Sequence, residues 1–105
     1  DIDAQNGTIS AAIVNKGFLI HTSVTGAGTL TTDTAENYIS NCGLSSDNQC
    51  ISFYIINDGD QEVTIAGGTG VTIKDAGQKI AENESAHLII RRTASDACVV
   101  YIIGS

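Results

Sequence analysis

The residues able to do chemistry in this sequence are few and widely spaced. His21 and His87 are its two histidines, and neither has a second His or a Cys at metal-ligand spacing beside it. For each, a structural or surface imidazole outweighs a general base or a metal ligand. Asp58, Asp60 and Glu62, with Gly59 between them, resemble part of a calcium loop. An EF-hand continues through a longer loop to a closing bidentate Glu, whereas here a β-branched run restarts at Val63, so a solvated turn is expected. Gly67-Gly68-Thr69-Gly70 followed by Lys74 lacks the G-x-x-x-x-G-K-[ST] spacing of a phosphate cradle. It also leads into a strand-forming run where a helix N-terminus would have to hold the phosphate, which leaves a tight turn. Ser23, Ser52 and Ser85 lie outside any G-x-S-x-G setting, and no order of Ser, His and Asp singles out a triad. The expectation is a non-enzymatic chain with no cofactor and no bound metal.

The remaining reactive side chains suggest structure and contacts. Cys42 and Cys50 flank the polar run 43–49, and a disulfide there would close a short loop, stabilising the chain by about 2–3 kcal/mol on an entropic account. Cys98 opens the apolar run 98–103 and reads as a small core residue. Arg91-Arg92 is the single basic pair, and strand alternation would point one guanidinium outward and the other inward or toward a neighbour. Two readings stand for it: an edge charge that blunts strand pairing, or an intersubunit contact with Asp58, Asp60 or Glu62. Asn6 and Asn83 open sequons of a kind expected by chance in a chain rich in Asn, Ser and Thr.

Such side chains must be positioned by one small domain. The chain has 105 residues, with 5 Lys and Arg against 12 Asp and Glu, a formal charge of −7, and no Pro, Met or Trp. That balance argues against nucleic acid, whose phosphates reward clustered cations. Charged residues at 16% against 42% apolar exclude a disordered acidic tail. The longest apolar runs are far too short to span a bilayer, so no membrane insertion is expected. With Asp1 first and no basic, apolar leader, the chain reads as a processed or excised form. Residues 1–7 are short and polar and are expected to form an arm that docks on a neighbour; 8–105 form the domain.

Periodicity supplies the elements. Residues 8–17 read as a short helix capped by Thr8 and ended by Gly17, and 18–24 as a half-buried strand. Residues 31–42 read as a second helix, with Thr32 or Asp33 as cap and Glu36 completing a capping box. From Cys50 the period becomes two: Ile51, Phe53 and Ile55 face one way, and the turn 57–60 returns the chain through Val63 and Ile65 as a β-hairpin. Short strands at 71–73, 79–81, 86–93 and 98–103 follow, separated by the turns 75–77, 82–85 and 94–96. The fold class expected is mainly β: an antiparallel β-sandwich or jelly-roll-like barrel with one or two short helices. The spacing leaves no room for repeated βαβ crossovers.

Ile51-Ser52-Phe53-Tyr54-Ile55-Ile56-Asn57-Asp58-Gly59-Asp60, then Val63-Thr64-Ile65-Ala66-Gly67-Gly68-Thr69-Gly70-Val71-Thr72-Ile73, resembles a small β-rich module of virion surface proteins: head-decoration, head-fibre and tail-fibre subunits of bacteriophages and other viruses. The likeness runs through Ile80 to Ala86, Ile89 to Thr93 and Val99 to Ile103, and back to the Thr-rich start at Leu30 and the segment ending Lys16-Gly17, covering roughly residues 8–104. The Cys42 and Cys50 pair departs from the pattern. The resemblance implies a structural subunit on a virion surface, outside the cell, assembling with itself, often as a homotrimer, and with capsid or fibre proteins. It carries over no catalytic residues. Two alternatives stand beside it: a secreted, pilus-like filament subunit that polymerises through its N-terminal segment, and a surface glycan-binding module using Tyr38, Tyr54 and Tyr101 as platforms.

Overall fold

The computed structural model describes residues 2, 5–22, 26–74 and 79–103. The elements in chain order are β1 (Gly7–Ile9), α1 (Ala11–Lys16), β2 (Phe18–His21), β3 (Gly28–Thr32), α2 (Ala35–Asn41), β4 (Cys50–Asn57), β5 (Val63–Ala66), β6 (Val71–Ile73), β7 (Lys79–Ile80), β8 (Ser85–Ala94) and β9 (Ala97–Ile103). The protein is mainly β with two short helices. One sheet has the order β1-β3-β5-β7 and the other β2-β4-β8-β9-β6.

Both sheets are mixed and do not close into a barrel, which corrects the expected antiparallel sandwich or jelly-roll-like barrel. β1, β3 and β5 run parallel to one another, as do β2 with β4 and β6 with β9. The antiparallel pairs are β4 with β8, β8 with β9, and β5 with β7. The reason lies in what the turns connect. The chain runs along β1, crosses through α1 and enters β2 in the other sheet; β3, α2 and β4 repeat this, as do β5, the glycine turn and β6. Parallel neighbours need a dozen or more connecting residues. The excursion through the opposite sheet provides them, so no βαβ unit within one sheet is required.

The expected hairpin at 51–65 is corrected for the same reason. β4 and β5 lie in different sheets, and residues 58–62 form the corner between them. Ser23 and Val24 of the strand expected at 18–24, and the turn 75–77, lie outside the described residues, as do Asp1, Asp3 and Ala4 of the expected arm. Within that arm, Ile2 forms a parallel bridge with His21 on the free edge of β2, and Gly7 already belongs to β1.

Both helices start later than their sequence signals suggest. Thr8 and Ile9 are taken by β1, whose ladder with β3 buries Ile9 completely, and Ser10 becomes the cap by accepting from Ile13 N at 3.3 Å. Gly17 ends α1 at φ 93, a left-handed conformation that a residue with a Cβ adopts only with strain. Likewise Thr31 and Thr32 extend β3, and Thr34, one residue beyond Asp33, caps α2 by accepting from Asn37 N at 3.2 Å.

Alternation along the strands turns Leu19, Phe53, Ile55, Leu88, Ile90 and Val100 of one sheet, and Ile9, Leu30, Val63, Ile65 and Ile80 of the other, into one hydrophobic cluster. Each such side chain contributes roughly 1.5–3 kcal/mol when fully buried. Ala11 and Val14 of α1 and Ala35 and Tyr38 of α2 join the cluster from the end at which β1 leads to β2 and β3 to β4.

Two buried polar side chains fasten the two ends. At the helical end the fully buried Tyr38 hydroxyl donates to the Ile9 carbonyl and accepts from Asp33 N at 2.9 Å, tying α2 to β1. At the other end the fully buried Asn57 amide lies 2.7, 3.1 and 3.2 Å from the carbonyls of Gln61, Ile80 and Ala81, while its oxygen accepts from Gly59 N at 3.3 Å. Replacing Asn57 by Ala strands several of these carbonyls, so Asn57→Ala is expected to lose about 3 kcal/mol of unfolding free energy, read from the urea midpoint. Asn57→Asp is expected to lose at least as much, because a carboxylate donates nothing to those carbonyls. Burial pushes the Tyr38 phenol above its ordinary value of 10.0. A raised folded pKa means that this contribution is complete below pH 10.0 and is lost as pH rises from there. In alkaline denaturation, Tyr38→Phe should therefore be less stable at neutral pH and show a shallower loss above pH 10.

Candidate functional site

The residues with most exposed apolar surface converge on the outer face of the five-stranded sheet. Phe18, Tyr54, Ile56 and Ile103 are 51%, 53%, 38% and 52% exposed. Strand register makes them neighbours: Phe18 pairs with Tyr54, Tyr54 with His87, and His87 with Ile103, one row crossing β2, β4, β8 and β9. Ile20 and Ile56 form the next row with Ser85, and Ser52, Ile89 and Tyr101 flank the first on its other side. Within the main row the Tyr54 and His87 rings stack at 4.6 Å between centroids and 20° between planes. Stacked rings hold each other upright, so the row is a preformed ridge.

Among the described residues, the charges on this face stand at its margins: Arg91 at the helical end, and Lys74 just beyond β6 with the outward parity of Thr72. Arg91 donates from Nε to the Tyr101 hydroxyl at 2.9 Å and from Nη1 to Asn48 Oδ1 at 2.7 Å, with its guanidinium 5.7 Å from the Tyr101 ring centre. Among the described residues, no strand carries an Asp or Glu. The described acidic residues sit beyond the strands: Asp33, Glu36, Asp47 and Asp96 at the helical end, and Asp58, Asp60, Glu62, Glu82 and Glu84 at the other. The outer face of the four-stranded sheet differs, presenting a grid of hydroxyls in which Thr8 pairs with Thr31, Thr29 with Thr64, and Thr64 with Lys79.

The other residues singled out in the sequence take structural places. His21 is completely buried on the inner face of β2, and its carbonyl accepts from Asp58 N at 2.9 Å. The glycine turn between β5 and β6 packs against β3: Gly68 N donates to the buried Thr32 hydroxyl at 2.7 Å, and a Cβ on Gly68 would stand 2.5 Å from the Thr32 carbonyl oxygen. Lys74 continues the ladder, its N–H donating to the Val100 carbonyl at 2.8 Å. Ser52 and Ser85 lie on β4 and β8, and Ser23 is outside the described residues. Among the described residues, no group of three or more His, Cys, Asp or Glu is placed to hold a metal ion, and no helix is long and apolar enough to cross a membrane.

The arginine pair divides as alternation requires, with Arg91 on the outer face and Arg92 turned inward, donating from Nη1 to the Leu44 carbonyl at 2.9 Å with Nε 3.2 Å from Asp47 Oδ1. Arg91 and Arg92 therefore lie at the helical end, and Asp58, Asp60 and Glu62 at the opposite end, where Glu62 meets Lys79 at 3.1 Å. Within one chain the structure does not bring these two groups together. Asp60 and Glu62, with Gln61, Ala27, Ala81 and Glu82, line a shallow depression at that end.

Cys42 and Cys50, weighed from the sequence as a disulfide pair, are free thiols in this structure. Cys42 Sγ faces the Ala11 carbonyl at 3.8 Å while the exposed Cys50 Sγ faces that of Asn48 at 3.6 Å, so the thiols are held by different partners. The loop between them needs no bridge, since Arg92 grips Leu44 and Asp47, and Asn48 N donates to the Arg92 carbonyl at 2.7 Å.

The alternation of β4 is legible in the sequence, but the face it helps to build is not. The available signal was that β4 and β8 are apolar at both parities: Tyr54, Ile56 and Ile89 point away from the core that Phe53, Ile55 and Ile90 enter. Burial raises the pKa of the Cys42 and Cys98 thiols, which keeps them protonated and slow to react. Alkylation with iodoacetamide followed by peptide mass mapping should modify Cys50 first, Cys42 more slowly, and Cys98 only on unfolding. No family model, no curated protein and no solved structure matches this chain.

Proposed function

We propose that this chain is a non-enzymatic structural subunit of a virion surface, a two-layer β module that works through contacts with copies of itself and with capsid or fibre proteins. The observation that carries the assembly part is the five-stranded sheet, whose described strands hold no acidic residue in a chain of charge −7 and whose outer face exposes Phe18, Tyr54, Ile56 and Ile103 together. Contiguous apolar surface of this kind is usual at interaction sites and unfavourable in water. The virion setting rests on the likeness of the strand and turn segments to surface modules of viral particles.

The secreted-filament reading has one observation in its favour. Ile2 pairs with the free edge of β2, its N–H donating to the Ile20 carbonyl at 2.9 Å and its carbonyl accepting from Thr22 N at 2.9 Å. That edge therefore accepts a parallel strand, here from the chain's own N-terminal segment. Sedimentation velocity over a concentration series separates the outcomes. Assembly predicts an s-value that rises with concentration from about 10 µM to about 1 mM, the range of small, transient interfaces. A strict monomer that also fails to bind any larger particle would defeat the assembly reading. Polymers that vanish on deletion of residues 1–7 would select the filament.

A further inference from the structure

Resting on the assembly reading above, we propose that the outer face of the five-stranded sheet is a self-interface, packed against the same face of a second copy.

Three features select that occupant. The first is electrostatic. With −7 on each copy, association is opposed wherever acidic residues meet, and face-to-face packing is the arrangement that leaves both acidic ends at the solvated rim. A basic partner would be drawn to those ends, since the described strands of this face carry no anionic group to offer it. The second is shape. The row Phe18, Tyr54, His87 and Ile103 is apolar at both of its ends, so a two-fold axis in the plane of contact lays apolar on apolar, as an isologous interface requires. The opposite outer face presents the hydroxyls of Thr8, Thr29, Thr31 and Thr64, polar groups whose burial in a contact would cost unless each found a partner.

The third is area. Four strands spaced about 4.8 Å apart, with about six residues each at roughly 3.3 Å, give a footprint of about 400 Å². A stable interface of standard size buries about 800 Å² per partner, so this contact makes a weak, reversible dimer. Such a contact becomes effective where copies are held at high local concentration, as on a particle surface. The interface is thus suited to lateral association of anchored subunits rather than to a permanent dimer in solution.

Cys50 is a native reporter, being exposed, free and at the helical-end margin of this face, opposite Arg91 and two residues from Ser52. Maleimide labelling of Cys50 in the unmodified protein is expected to slow as protein concentration rises. In sedimentation equilibrium, Tyr54→Glu should weaken self-association by at least about thirtyfold, the effect of losing a central aromatic anchor. Thr31→Glu on the other outer face should leave it unchanged. Raising salt from about 0.02 M to about 0.15 M should tighten association, because it screens the acidic rims. Self-association that persists in folded Tyr54→Glu, with Cys50 labelling independent of concentration, would overturn this interface and leave the assembly reading standing. A monomer at every concentration whose Cys50 becomes protected only by glycans or by a different protein would overturn the self-interface and the self-assembly reading together.

Discussion

A chain that changes sheets at nearly every turn must satisfy its backbone polar groups at the corners, and the rest of this structure depends on how that is done. Strands within a sheet satisfy one another, but a corner leaves carbonyls and N–H groups near the core without ladder partners. Asn57 resolves this at one end, its single amide reaching the carbonyls of Gln61, Ile80 and Ala81 and so fastening β4 to the β5 and β7 side. The Tyr38 hydroxyl does the same at the other end, joining Ile9 and Asp33. Both side chains are completely buried, so each of these hydrogen bonds is worth more than it would be in water, and its loss would leave groups that water cannot reach.

These fastenings also decide where charge can go. With the core filled by apolar side chains and the corners tied by neutral polar groups, the described acidic residues are left to the two ends, while the broad faces remain almost uncharged. One broad face became a threonine grid and the other an aromatic and aliphatic ridge. A module built this way repels its own kind end to end and tolerates them face to face. That combination gives a low-charge, strand-rich chain a directional preference for its neighbours.

Much of the local structure was legible from residue patterns. The strand at 50–57, the closing pair β8 and β9 with its turn at 94–96, the short strand at 71–73 and the left-handed stop at Gly17 all follow from local periodicity and turn chemistry. Helix starts were displaced because the residues before them, Thr8 and Ile9 in one case and Thr31 and Thr32 in the other, gain more from a parallel ladder than from a first helical turn. The turn at 57–60 was legible as a turn but not as a corner, since the same Asn-Asp-Gly-Asp chemistry serves a hairpin and a change of sheet. Of the candidate face, the outward parity of Tyr54 and Ile56 could be read, but not their neighbours.

By itself the sequence determined a small, acidic, mainly β chain with one or two short helices, strands of known parity, and no recognisable catalytic motif, because these follow from composition and from periods of two to four residues. The tertiary structure alone decided which strands pair, in which direction and in which sheet. It also decided that the Cys42 and Cys50 thiols face different carbonyls, that Arg91 and Arg92 lie at the opposite end from Asp58, Asp60 and Glu62, and that Phe18, Tyr54, His87 and Ile103 form one row. The reason is range. Pairing and register come from contacts between residues tens of positions apart, selected by how two sheets share one core, and no local pattern records that choice.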